Sequence, residues 1–291
     1  GGAGIKNAGT LYMDGCLVTR NRTHTGNNQF GGGILTAGSG STTIVGSTIS
    51  FNSTTGTNGW GGAIAHGNYG SVGALNMTNC IVNGNSATGR GAVMLMSSNS
   101  SVNKITNCTL HNNSAGSYGA VWNDRSNSVF TNCTIAGNPN GGLAFYANSI
   151  YLKNNLLANN TGFDFSLIST GTVYNNGYNL VETSNNYTFS GTGDITGDQA
   201  NLNIDASPAA NSTLNGTNTL ALMSNSVAVN AGNSTAHGPT GNQVTPSRYD
   251  QRYYSRDGAV DIGAYEYNGT ASYAWSGGKN NDWNDAANWR S

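Results

Sequence analysis

The side chains able to do chemistry are few and widely spaced. Cys16, Cys80, Cys108 and Cys133 are separated by at least 25 residues, with no Cys-x-x-Cys pair among them. Metal sites draw thiols and imidazoles from close spacings, so these four read as buried structural positions rather than ligands, with a disulfide between neighbours as the alternative. His24, His66 and His111 have no carboxylate beside them, which predicts solvated loop histidines rather than a nucleophile–base pair. Between Gly15 and Phe163 the only acidic residue is Asp124, and its neighbour Arg125 makes a turn ion pair the expected role. Glycoside hydrolysis requires two carboxylates about 5 to 10 Å apart. Elimination from a uronate requires a base together with a cation or Ca²⁺. The carboxylate count therefore argues against catalysis.

Asp164, Asp194, Asp198 and Asp205 form the main acidic group further on. Within GDITGD, Asp194 and Asp198 are weak candidate Ca²⁺ ligands, although Gly-Asp pairs are ordinary turn chemistry. No other cofactor is expected. Trp60, Tyr118 and Trp122 lie close to Gly-rich turns, where they would either contact a ligand such as a sugar or cover the turn.

A repeat positions all of these residues. MDGCLVTRN, IVGSTISFN, MTNCIVNGN, ITNCTLHNN, FTNCTIAGN and LKNNLLANN align. The first column is Cys16, Ser47, Cys80, Cys108, Cys133, Asn155, and two positions later come Val18, Ile49, Val82, Leu110, Ile135 and Leu157. A third column holds Asn21, Asn52, Asn85, Asn113, Asn138 and Asn160. Gly-rich turns and a second apolar run follow most units: GGGIL, GGAIA, RGAVML, YGAVW and GGLAF. The repeat length drifts from about 33 to about 22 residues, which suits stacked coils whose loops differ. Short β-rich runs without a helical period predict an all-β right-handed single-stranded parallel β-helix, a solenoid with a C-terminal capping segment. Its columns become ladders of aliphatic side chains and of Asn amides paired with their copies, the pairing that makes a buried amide tolerable.

Composition excludes other classes. Charged residues are 9% of the chain and the net charge is −1, so nothing suggests nucleic acid or an anionic membrane as a partner. No apolar run reaches membrane-spanning length.

The GG-[A/I]-[I/V] and [I/V/L]-x-x-Asn signals, over roughly residues 1 to 160, resemble the GGAI and FxxN repeats of polymorphic outer-membrane proteins. Further on, GYNLV, GDITGDQANL, SNSVAVNAGN and DQRYYSRDGAVDIGAYEY occur in this order. That series is similar to the closing segment of the choice-of-anchor Q domain of bacterial surface proteins. The resemblance implies a secreted, cell-attached β-helix, generally without an assigned enzymatic role. The chain departs from the family at Val227 to Asn230, where the family has Pro-Ala-Ile-Asp, so no role of that Asp is carried over. Asp250, Arg252, Asp261 and Glu266 are read as structural charges of a cap closing the helix end.

The expected organisation is therefore a β-helix over 1–267, with its cap at about 177–267. Residues 268–291 are read as a linker and the start of a following module, since the Trp275–Trp289 stretch is similar to the opening of another surface-protein module. GGAGI at the start looks like half a coil, so the chain reads as a piece of a longer multi-module protein. The functional expectation is a non-enzymatic secreted bacterial cell-surface segment, structural or adhesive, whose partners are a cell-surface glycan or another surface protein. The alternative is a polysaccharide lyase or glycoside hydrolase acting in a groove on the helix.

Overall fold

The computed structural model describes residues 2–67, 72–96, 101–211, 217–256 and 258–271, together with the backbone of 274–275 and 289–290. Most of the expected following module lies outside the described residues. Three parallel sheets, of eight, seven and eight strands, run the length of the repeats, and a three-stranded sheet adds a fourth side over the middle coils. Each sheet takes one strand per coil. In the second coil these are Ile34–Thr36, Thr42–Val45, Thr48–Ser50 and Ser53–Thr54. The architecture is a right-handed parallel β-helix, the hand that parallel crossovers adopt.

The aligned columns become ladders. On the third sheet Val18, Ile49, Val82, Leu110, Ile135 and Leu157 pair in register. Val181 adds a further rung to that column. The second sheet contributes Met13, Ile44, Met77, Ile105, Phe130 and Leu152. All of these are buried in one continuous core.

Corners are set by left-handed backbone. Between the second and third sheets that conformation is held by Gly15, Gly46, Asn79, Asn107, Asn132 and Asn154. The residue before each ladder Asn adopts it too: Arg20, Phe51, Gly84, Asn112, Gly137 and Asn159. Asn is the non-glycine residue that tolerates this region best, which accounts for much of the chain's Asn content. At Gly62 the reason is space instead, because a Cβ there would meet the Ser86 carbonyl oxygen of the next coil at 2.0 Å.

The C-terminal part differs from the expected end cap. Leu180–Val181, Ser184–Asn185 and Ile195–Thr196 continue the coils. Tyr187 and Phe189 cover the end of the interior, their rings edge-on to Phe165 at 5.7 and 5.2 Å. Beyond them the chain turns back and lies along the flank of the helix. Leu202, Leu220, Leu222, Ala228 and Ile262 form a second core on the outer residues Ala136, Leu156, Ala158 and Leu180 of the third sheet. Ala136 and Ala158 leave room there, and Leu156 and Leu180 supply apolar surface, so the return path is fixed by burial rather than by closure of an edge.

Candidate functional site

In the stretch ITNCTLHNN each residue has a separate task. Asn107, at the left-handed corner, donates from Nδ2 to the Tyr249 carbonyl of the flank segment at 2.7 Å. Cys108 is buried and turns its Sγ to the Thr106 carbonyl. Thr109 faces outward and donates to Gln251 Oε1 at 2.6 Å, while Leu110 faces the core. Asn113 joins the amide ladder.

That ladder has a direction. Asn21, Asn52, Asn85, Asn113 and Asn138 each donate from Nδ2 to Oδ1 of the next Asn, at 2.9, 3.0, 3.0, 3.3 and 2.7 Å. Each of those Oδ1 atoms also accepts the backbone N–H of the preceding ladder residue, as in Asn52 N to Asn85 Oδ1 at 2.9 Å. The second Nδ2 proton of the inner rungs reaches back to a carbonyl of the preceding coil, as from Asn85 to Ile49 at 2.8 Å. The series ends on Asp164, whose Oδ1 accepts from Asn160 N and Nδ2 at 3.0 and 2.8 Å and whose Oδ2 accepts from Thr183 N and Oγ1 at 2.8 and 2.7 Å.

The cysteine column ends in the same way. Cys16 N donates to Ser47 Oγ, Cys133 N to Asn155 Oδ1, and Asn155 N and Nδ2 to Asn179 Oδ1. Asn179 N then donates to Asp194 Oδ1 at 2.9 Å, and Asp194 Oδ2 accepts from Gly191 N at 2.7 Å and from Asn175 Nδ2. Asp194, a candidate Ca²⁺ ligand from sequence, thus has its oxygens engaged by amide donors. Asp198 is exposed. Among the described residues no group of three or more His, Cys, Asp and Glu could hold a metal ion. All four cysteines are free thiols. Burial raises the Cys108 thiol well above its usual range and pushes Cys133 up to about 12.

The histidines differ from expectation. His24 is exposed, but His66 is fully buried on the first sheet, with Nδ1 2.7 Å from Thr36 Oγ1 and Nε2 2.9 Å from the Gly73 carbonyl. Burial lowers its pKa to about 4. His111 is half-buried beside the Ala136 carbonyl. His237, not singled out from sequence, is buried where the flank meets the helix, its Nε2 2.6 Å from Thr131 Oγ1, and is likewise lowered to about 4 by burial.

The charged motifs of the flank segment form one buried network. Arg252 donates from Nε and Nη2 to Asp250 Oδ2 at 2.8 and 2.7 Å, and stacks on Tyr265 at 3.6 Å. Arg256 Nη1 donates to Glu266 Oε2 at 2.8 Å. Asp261 accepts from Asn230 N at 2.6 Å and from Tyr267 N. Burial outweighs the Arg256 guanidinium and raises Glu266 to about 7. These charges are paired within a segment that lies on the flank of the helix.

The remaining arrangement is on the outside of the first sheet. Phe30, Trp60, Arg90 and Tyr118 immediately precede corner glycines of successive coils. Phe30 meets Trp60 edge-on at 5.4 Å, and Tyr118 stacks on Trp122 at 4.4 Å. The Arg90 guanidinium lies among three rings, 5.4 Å from Trp60, 5.6 Å from Tyr118 and 5.1 Å from Trp122. Trp122 is buried, whereas Trp60, Arg90 and Tyr118 are half-exposed. Asp124 is buried nearby and pairs with Arg125 at 3.7 Å. Burial raises its pKa, partly offset by Arg125 and Arg90. Of the three aromatics expected from sequence, the structure brings all into one cluster with Arg90, which sequence reading missed. Its signal was positional, since it occupies the place before a corner glycine that Phe30, Trp60 and Tyr118 also hold.

No family model matches the chain, and a search of curated proteins finds no match.

Proposed function

We propose that this chain is a non-catalytic, rod-like β-helical segment of a secreted bacterial cell-surface protein, structural or adhesive in role. The observation that carries this reading is the occupation of its carboxylates. Asp164 and Asp194 terminate hydrogen-bond ladders, while Asp250, Asp261 and Glu266 hold the flank. Asp124, the one acid between Gly15 and Phe163, is paired with Arg125 at 3.7 Å. Two-carboxylate chemistry needs a free, facing pair.

A rigid stack of coils about 4.8 Å apart suits a spacer that displays one long edge. The polar, nearly neutral surface fits a glycan or another surface protein as partner. A panel of neutral and acidic polysaccharides, incubated with the protein with and without Ca²⁺, is the test. Retention on some of them with no new reducing ends or unsaturated sugars is the expected result. Turnover that survives repurification and disappears on Asp124→Asn would replace this reading with that of a polysaccharide lyase or glycoside hydrolase.

A further inference from the structure

We infer that the edge formed by Phe30, Trp60, Arg90 and Tyr118 binds a polyuronate, a saccharide chain bearing carboxylates, with one carboxylate on the Arg90 guanidinium. This deepens the reading above by naming a ligand class for the displayed edge. Charge decides the class. Among the described residues Arg90 makes no ion pair with a carboxylate; Asp124, whose carboxyl feels its charge, pairs with Arg125 instead. Two guanidiniums and one carboxylate leave this patch positive on a chain whose net charge is −1.

Geometry agrees. Three rings lie 5.1 to 5.6 Å from the Arg90 guanidinium carbon, Tyr118 stacks on Trp122, and among the described residues no ion pair occupies the guanidinium's in-plane N–H groups. Those N–H groups form a fork that matches a carboxylate bidentately. Three rings around the guanidinium restrict its motion, which reduces the ordering cost of binding. Trp60 and Tyr118 are half-exposed, and aromatic side chains at such positions offer an apolar body to the C–H groups of pyranose rings. The rise of about 4.8 Å per coil is close to the length of one sugar residue in an extended chain. Successive rungs therefore address successive sugars of a chain lying along the helix axis.

Titration calorimetry of the whole chain with a purified oligogalacturonate tests this, alongside a neutral galacto-oligosaccharide and a dextran sulfate oligomer. Saturable binding of the oligogalacturonate is expected. Arg90→Gln should weaken it by about tenfold or more, while the same change at the exposed Arg22, outside this cluster, should weaken it by less than about threefold. Should Arg90→Gln fail to fold, Tyr118→Asn replaces it, because Asn accepts the left-handed backbone of Tyr118 (φ 61°) and removes the ring. Absent binding, equal binding of the neutral oligomer, binding of dextran sulfate alone, or binding indifferent to Arg90 and Tyr118 each overturns the assignment and leaves the rod reading intact. Arg90-dependent binding accompanied by release of unsaturated sugars would keep the site and remove the non-catalytic reading.

Discussion

Asp164 Oδ1 accepts both the backbone N–H and the side-chain Nδ2 of Asn160, at 3.0 and 2.8 Å. This contact explains why an acid stands where the ladder would otherwise carry another amide. Along the series each inner Oδ1 accepts from the Asn of the preceding coil, and each Nδ2 sends one proton to the next acceptor and the other back to a carbonyl. The last rung therefore needs acceptors alone, and a carboxylate offers four lone-pair positions and no competing N–H.

Replacing that terminator tests the polarity of the ladder. Asp164→Asn puts an NH₂ group against donors from Asn160 or Thr183 and is expected to cost about 2 kcal/mol in urea-induced unfolding. Asp164→Asn at wild-type stability would contradict a directional ladder.

Interior rungs should be more sensitive than the first. Asn113→Ala removes the acceptor for Asn85 N and Nδ2 and the donor to Val82 O, all buried. A loss of about 3 kcal/mol or more is expected from several unsatisfied groups at once. Asn21→Ala, at the half-exposed start of the series, should cost about 1 kcal/mol. Equal losses at Asn113 and Asn21 would argue against the greater weight of the interior rungs.

Thiol labelling should separate one cysteine from three. Cys16 is half-exposed, whereas Cys80, Cys108 and Cys133 are fully buried. The raised pKa values of Cys108 and Cys133 deplete the reactive thiolate further. Maleimide should modify Cys16 alone in the native state and all four after denaturation. Reductant should leave the melting temperature unchanged.

The flank should detach when its buried ion pair is broken. Arg252→Ala leaves Asp250, which is 0% exposed, without its cation. The expected loss is about 3 to 5 kcal/mol. Proteolysis should then cut within 217–267 while the repeat body persists, and simultaneous loss of both would show that the flank is not a separate unit.

Histidine burial predicts a pH effect of known sign. His66 and His237 are held down to about 4 in the folded chain, so the unfolded chain binds more protons between the ordinary value of 6.5 and about 4. Stability from these two groups is complete above that window and falls as pH falls through it. Glu266, raised to about 7, acts oppositely, its contribution fading as pH rises from its ordinary 4.5 through about 7. His237→Gln removes one histidine contribution, so its stability deficit relative to wild type should shrink between about pH 7 and about pH 5. A constant deficit would contradict a buried neutral imidazole.

Much of the fold was legible because each column repeats one physical requirement. An inward aliphatic such as Val82 and a ladder amide such as Asn85 recur in every coil, so several coils report the same rule. The ends were not legible in this way, since Asp164 and Asp194 each occur once and differ from the residue they replace. A signal did exist for Asn179: Asn179-Leu180-Val181 repeats Asn155-Leu156-Leu157 and extends the cysteine column. The flank's course was hidden because it depends on outward residues, Thr109, Thr134 and Leu156, whose types are ordinary for exposed strand positions. His66 looked like a loop residue, but Thr36, a coil earlier, and the Gly73 carbonyl, a few residues on, meet its two ring nitrogens in the interior.

The most direct test pairs stability with turnover for the wild type, Asp164→Asn and Asp194→Asn on the same acidic and neutral polysaccharides. Structural carboxylates predict no product release from the wild type and lowered unfolding midpoints for both variants. Product release by the wild type, abolished in either variant at an unchanged midpoint, would show that these acids are catalytic and contradict the account.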